Sequence, residues 1–198
     1  MNCWRCLIAF VALTLGVAAG GQYPATPHDT HSAEFHAMEQ KLAYLKVNGA
    51  KAHPDVKPTE LTEAEANAYF NEGGVKLPKG VSQVHLASRP GVLDAHAKVD
   101  FEEIMQGRGS TNPMFAMFSG KHDVQVVTKA GGANGSGSIQ VQSIQLDGSE
   151  VPRWLLDFFV QHYIAPKYPN VGMTTTFKLP LRIDTAVVET GRVRLVQR

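Results

Sequence analysis

Cysteine is nearly absent from this chain, and its two copies, Cys3 and Cys6, both lie in the first six of 198 residues. From Leu7 onward there is no thiol to form a disulfide, act as a nucleophile or bind a metal. Blocks of like charge are missing too. The formal net charge is +1 and charged residues make up 19% of the chain, which argues against a nucleic-acid partner. Beyond the N-terminus no apolar run is long enough to span a bilayer. No Gly-x-Ser-x-Gly elbow and no phosphate-binding Gly-rich loop ending in Lys-Ser or Lys-Thr occurs.

What remains is an ordinary globular composition, with 43% hydrophobic residues and a length that suits one domain. Met1 to Arg5 carries one side-chain positive charge. Cys6 to Ala19 is an unbroken apolar or small run closed by Val17-Ala18-Ala19. The run is short for a spanning helix and ends in small residues, so residues 1–19 read as a cleaved signal peptide. Cys6 precedes the apolar run, whereas a lipidated cysteine would follow one. Without Arg5, 18 basic residues of the original 19 face 18 acidic ones. The expectation is an exported protein of the periplasm or extracytoplasmic envelope. Residues 20–33 read as a loosely ordered leader and residues 34–198 as one α+β domain.

Phe35, Met38, Leu42 and Leu45 fall at helical spacing and predict a first helix over Glu34 to Leu45. Thr62-Glu63-Ala64-Glu65 is a capping box, so a second helix should run from Glu63 to Asn71 and stop at Gly73-Gly74. The period then changes. Leu93, Ala95, Ala97, Val99 and Phe101 alternate with Asp94, His96, Lys98 and Asp100, the clearest strand in the chain. Val124 to Thr128 and Ser138 to Leu146 read as strands joined by the Gly-rich stretch Gly131 to Gly137. Ile139 and Val141 are out of phase with Ile144 and Leu146, which predicts a bulge at Gln142-Ser143. Leu181, Ile183 and Thr185 begin another strand, and Val193 and Leu195 close the chain after a Glu189–Arg192 turn.

Between these strands lies Val151 to Ile164. Its polar residues Arg153, Asp157 and Gln161 form a narrow stripe, while Trp154, Leu155, Leu156, Phe158, Phe159 and Val160 cover the rest of the wheel. Such a helix needs cover from several sides, and strands with one apolar face each could supply it. The expected architecture is α+β: a highly curved antiparallel sheet wrapped around a long apolar helix. The alternative is a helix packed on an open sheet.

Leu61-Thr62-Glu63-Ala64-Glu65-Ala66-Asn67-Ala68-Tyr69-Phe70 resembles the opening LTE-x-E-x-NAY signature of several exported bacterial domains. Gly-Ser-Glu-Val-Pro at 148–152 and Phe177-Lys178-Leu179-Pro180, followed by a strand, a Gly turn and a last strand, are similar to the same pattern. Together they resemble the tubular lipid-binding (TULIP-like) group, in the style of the mycobacterial LmeA-like and the YpmS-like extracytoplasmic families. The resemblance covers about Leu61 to Val196. It implies an apolar tunnel and no catalytic residues, and the first helix has no counterpart in it.

The expected ligand surface is therefore Leu93, Ala95, Ala97 and Val99 on one strand and Val126, Ile139 and Val141 on its neighbours. Trp154, Leu155, Phe158 and Phe159 would face it from the helix. Met114, Phe115, Met117 and Phe118 could form a gate or touch a membrane surface. The expected partner is a lipid or another apolar small molecule, with no cofactor and no metal. His28, His31, His36 and His53 cluster without a carboxylate set and read as solvated histidines. Asp94 and His96 would need a serine to form a hydrolytic triad, and Ser136 sits at a hairpin tip instead. A structural envelope module with a self-filled core is the alternative function.

Overall fold

The computed structural model describes residues 31–105, 120–159, 161 and 172–198. The expected signal peptide, most of the leader and the expected gate residues Met114, Phe115, Met117 and Phe118 lie outside them. The class is α+β, with nine strands in one mostly antiparallel open sheet and a few helices.

Helix α1 spans Ala33–Gly49. Ser32 caps it, its hydroxyl accepting from the Phe35 amide at 3.1 Å. Phe35, Met38, Leu42 and Leu45 are buried along one stripe. Strand β1 (Thr59–Thr62) leads directly into helix α2 (Glu63–Asn71) through the capping box that the sequence predicts. The Thr62 hydroxyl accepts from the Glu65 amide at 3.3 Å, and the Glu65 carboxylate accepts from the Thr62 amide at 2.9 Å.

Strands β2 (Val81–Arg89) and β3 (Val92–Asp100) form a hairpin, and the single-turn helix α3 (Phe101–Met105) follows. Strands β4 (Lys121–Ala133) and β5 (Ser136–Leu146) make the longest hairpin, and β6 (Ser149–Glu150) folds back onto β5. Helix α4 (Arg153–Phe159), β7 (Thr174–Lys178), β8 (Ile183–Glu189) and β9 (Arg192–Gln197) complete the order. The sheet runs β1-β9-β8-β4-β3-β2, and β5 pairs with the other edge of β4 and carries β6 and β7.

Two features of the β4–β5 hairpin follow from local chemistry. In β5, Gln142 is the extra residue: Val127 pairs with Ser143 and Thr128 with Val141, so the predicted bulge is there and restores the phase. The Gly-rich stretch differs from expectation. Its turn is only Asn134-Gly135, with φ of 53° and 71°, the type I′ conformation of a two-residue hairpin. Gly132 and Gly137 are strand residues. A Cβ on Gly137 would stand 2.8 Å from the Phe177 ring, and one on Gly132 would stand 2.9 Å from Leu179. The glycines are there so that these two side chains can lie flat on the strands.

The buried core is built from Met38, Leu42, Leu45, Ile183 and Leu195, with Leu61, Tyr69, Leu179, Leu181, Ala186 and Val193 packed around it. It therefore sits between α1 and β8–β9. Beneath the last turn of α1 lies a buried polar knot. Asn48 Nδ2 donates to Gln197 Oε1 at 2.8 Å, and Gln197 Nε2 donates to the Leu45 and Leu181 carbonyls at 2.7 and 2.6 Å. The knot holds Leu181 and Arg182, two side-chain-bearing residues at φ 55° and 56°, in a left-handed turn that L-residues resist.

The long apolar helix expected over Val151 to Ile164 is described as helix only over Arg153–Phe159. Trp154 is 69% exposed, and Leu155 and Leu156 are half-buried.

Candidate functional site

The strongest candidate surface arises from the register of the central strands. Cross-strand partners share a face of a sheet, as do residues two apart on one strand. Leu93 pairs with Ser88 and Thr128, Ala95 with Leu86 and Val126, and Ala97 with Val124. On β5, Ile144 and Leu146 stand opposite Val126 and Val124, and the bulge brings Val141 and Ile139 onto the same face opposite Thr128 and Ala130. Seven of the sequence-predicted ligand residues thus share one face: Leu93, Ala95, Ala97, Val99, Val126, Ile139 and Val141. All seven are half-buried.

This face continues the one that carries the core. Leu195 pairs with Ala186, and Ala186 pairs with Gly132, which is two, four and six residues from Ala130, Thr128 and Val126. The same apolar layer therefore runs from β1, β9 and β8 across to β4, β3 and β5. Helix α1 packs on β1 and β9 and α2 on β1 and along β2, whereas on the β3–β5 half the main helical contact among the described residues is that of the short α3 with β4. Half of one continuous apolar layer is thus covered by long helices. The two alanines of β3 keep the other half low.

The layer has a polar end. His122 pairs with Val99 and so stands on this face beside Val124. Its Nδ1 lies 2.6 Å from the Asp147 carboxylate, whose other oxygen accepts from the Asp123 amide at 2.9 Å. The His122 bond and then the Asp123 amide hold the Asp147 carboxyl below its ordinary range. Phe101 meets the His122 ring edge-on at 5.7 Å.

The opposite face is polar. A groove of about 250 Å³ there is lined by Gln83, His96, Lys98, Asp123, Gln125 and Gln145, among others. Its charges are matched among themselves. Lys98 lies 3.2 Å from Asp123, His96 Nε2 lies 3.3 Å from Asp94, and Gln125 Nε2 donates to both Asp94 oxygens at 2.9 and 3.0 Å. Ser136 pairs with Ala133, eight residues along β4 from Gln125. At about 3.3 Å per residue that is roughly 26 Å away, so Asp94, His96 and Ser136 form no triad.

The motif residues of α2 have structural partners. Glu65 binds Lys41, whose Nζ donates to both carboxylate oxygens at 2.6 and 2.7 Å and to the Glu60 carbonyl at 2.6 Å. Asn67 and Asn71 bond to the β2 backbone. His31 stacks on Phe35 at 4.2 Å, and its Nε2 is 3.1 Å from the Glu72 carbonyl. His36 lies 3.5 Å from Glu39, and His53 is exposed. Among the described residues no group of three or more His, Asp, Glu or Cys is placed to hold a metal ion. Likewise, no described helix is long and apolar enough to cross a membrane.

Phe158 and Phe159 belong to α4, but their side chains lie outside the described residues. Residues missed in the sequence are Val124, Ile144 and Leu146, which complete the apolar face, and His122, which ends it. The alternation of β4 from His122 to Thr128 carried that signal. No family model, curated protein or solved structure matches the chain.

Proposed function

We propose that this protein is a non-enzymatic binder or carrier of a lipid-like apolar ligand, exported to the bacterial envelope. The observation that carries the reading is the apolar layer of β3, β4 and β5, which extends past the part that α1 and α2 cover. An apolar chain laid along Leu93, Ala95, Ala97 and Val126 would bury surface on both partners, which favours association by about 25 cal/mol per Å² of apolar area. In this proposal helix α4 lies over the ligand and the sheet curves around both, as in tubular lipid-binding domains. The polar groups near the layer are engaged with each other, and Ser136 stands roughly 26 Å from the Asp94–His96 pair on the far face, which supports carriage over hydrolysis by those three residues.

A structural envelope module is the second reading. It is favoured by the closed core around Leu45, which is fully buried by the protein's own side chains. The variant Ala95→Trp separates the two. Ala95 sits between Leu86 and Val126, so an indole there would fill the proposed chain site. The folded variant should lose binding of the apolar dye N-phenyl-1-naphthylamine, which wild type should bind and phospholipid should displace. Equal dye binding by both proteins, or none by wild type, counts against the carrier.

A further inference from the structure

The outer edge of β2 is occupied by side chains rather than by a strand. Glu63, Asn67 and Asn71 lie at i, i+4 and i+8 on α2, so they form one stripe. Asn67 Nδ2 donates to the Leu86 carbonyl at 3.0 Å, and its Oδ1 accepts from the Leu86 amide at 2.6 Å. Asn71 does the same for Val84, at 2.6 and 3.0 Å. Glu63 accepts from the Ser88 amide and from its hydroxyl, the latter at 2.9 Å. Each asparagine amide thus supplies the donor and acceptor pair that one residue of a neighbouring antiparallel strand would supply.

The spacing explains why a helix can do this. Four residues of helix rise about 6.0 Å and two residues of strand about 6.6 Å. The mismatch grows along the stripe, and the end position has the side chain with one more methylene, Glu63. Helix α2 also runs antiparallel to β2, as Glu63 meets Ser88 and Asn71 meets Val84. Phe70 anchors the helix, buried at 8% exposure.

We propose that the β2 edge is a strand-pairing surface held closed by α2, and that the partner it fits when opened is β2 of a second copy. Val84 and Leu86 direct both backbone groups outward to α2, while Ser88 gives its amide to Glu63 and its carbonyl accepts from the Gly191 amide of the β8–β9 turn at 3.2 Å. An antiparallel pairing centred on Leu86 sets Val84 against Ser88 and His85 against Ala87 with no like charges opposed; its central bonds form at Leu86, and its outer ones displace Glu63 and the Gly191 amide from Ser88. Such a contact is two-fold symmetric and closes at a dimer. Unprotected edges of this kind are the ordinary route to self-association, and covering them is the ordinary defence. This inference is independent of the ligand reading.

The test is Asn67→Ala with Asn71→Ala, read by amide hydrogen exchange and sedimentation across protein concentration. Wild type should stay monomeric with Val84 and Leu86 amides protected. In the double variant at low concentration those two amides should exchange on the order of tenfold faster, the effect of losing one net hydrogen bond each. Raising the concentration should produce a dimer and restore their protection, while amides bonded to β3 stay protected throughout. If the double variant does not fold, Asn67→Ser and Asn71→Ser each open one pair of bonds and should show the same order in smaller measure. Protected amides in a monomeric variant overturn the proposal. So does a variant that stays monomeric with exposed amides, or a dimer that protects a segment other than residues 84–88.

Discussion

Replacing Lys41 by Met should destabilise the protein in a way that depends on pH in the opposite sense to ordinary acid loss. The Lys41 side chain is 32% exposed, and its ammonium serves three acceptors, two of them the oxygens of Glu65, whose side chain is 11% exposed. Methionine keeps the length and removes the charge. Glu65 is then left in a buried setting with the Thr62 amide as its remaining partner. Breaking a buried pair from one side costs about 3–5 kcal/mol, and the partial exposure of Lys41 puts the expected loss near the low end, about 3 kcal/mol at pH 7. In wild type, burial pushes the Glu65 carboxyl up, but the bonds from Lys41 and Thr62 outweigh it and leave it below its ordinary 4.5. That contribution is present above the unfolded value and is lost as pH falls through the folded one. In Lys41→Met burial dominates and the carboxyl is raised, so stability is lost as pH rises from 4.5 through the raised folded value, and the penalty shrinks in acid. Urea unfolding of both proteins at pH 7 and pH 3.5 reads the difference. A loss below about 1 kcal/mol at both pH values, the range of an exposed ion pair, would refute the reasoning.

Two further substitutions probe the frame. Gly137→Val places a side chain where a Cβ alone would be 2.8 Å from Phe177, and should lower stability by about 1–3 kcal/mol in a urea melt. Asn48→Ala leaves the Gln197 carbonyl and the Asp55 amide without their partner and should cost about 2–4 kcal/mol. Combined with Gln197→Ala the loss should fall short of the two single losses added together, because both act on one network.

The long elements were legible because their signals are local. The stripe of α1, the capping box of α2, the alternation of β3 and the phase slip at Gln142 each rest on residues a few positions apart, and each appears in the fold. The short strands were not legible. Strand β7 reads Thr-Thr-Thr-Phe-Lys, and only Phe177 gives it an apolar side. Its place beside β5 is set by Gly137, forty residues earlier. Gly132 and Gly137 read as turn residues because the side chains that need them are remote in sequence. Asn48 and Gln197 carry no signal for burial; they meet across 149 residues. The weight placed on Val151 to Ile164 came from its apolar content, but content does not say which helix the core uses. In the described residues that helix is α1, whose narrower stripe meets β8 and β9. The candidate face was legible for the opposite reason, since strict alternation on adjacent strands leaves little choice of register.

The most direct test of the central claim is native mass spectrometry of the mature protein purified from envelope extracts, before and after organic extraction. The account predicts a bound apolar molecule at a fixed ratio, released by solvent, and absent from Ala95→Trp that is otherwise folded. Protein that carries nothing, and that takes up no phospholipid when vesicles are offered, would contradict it.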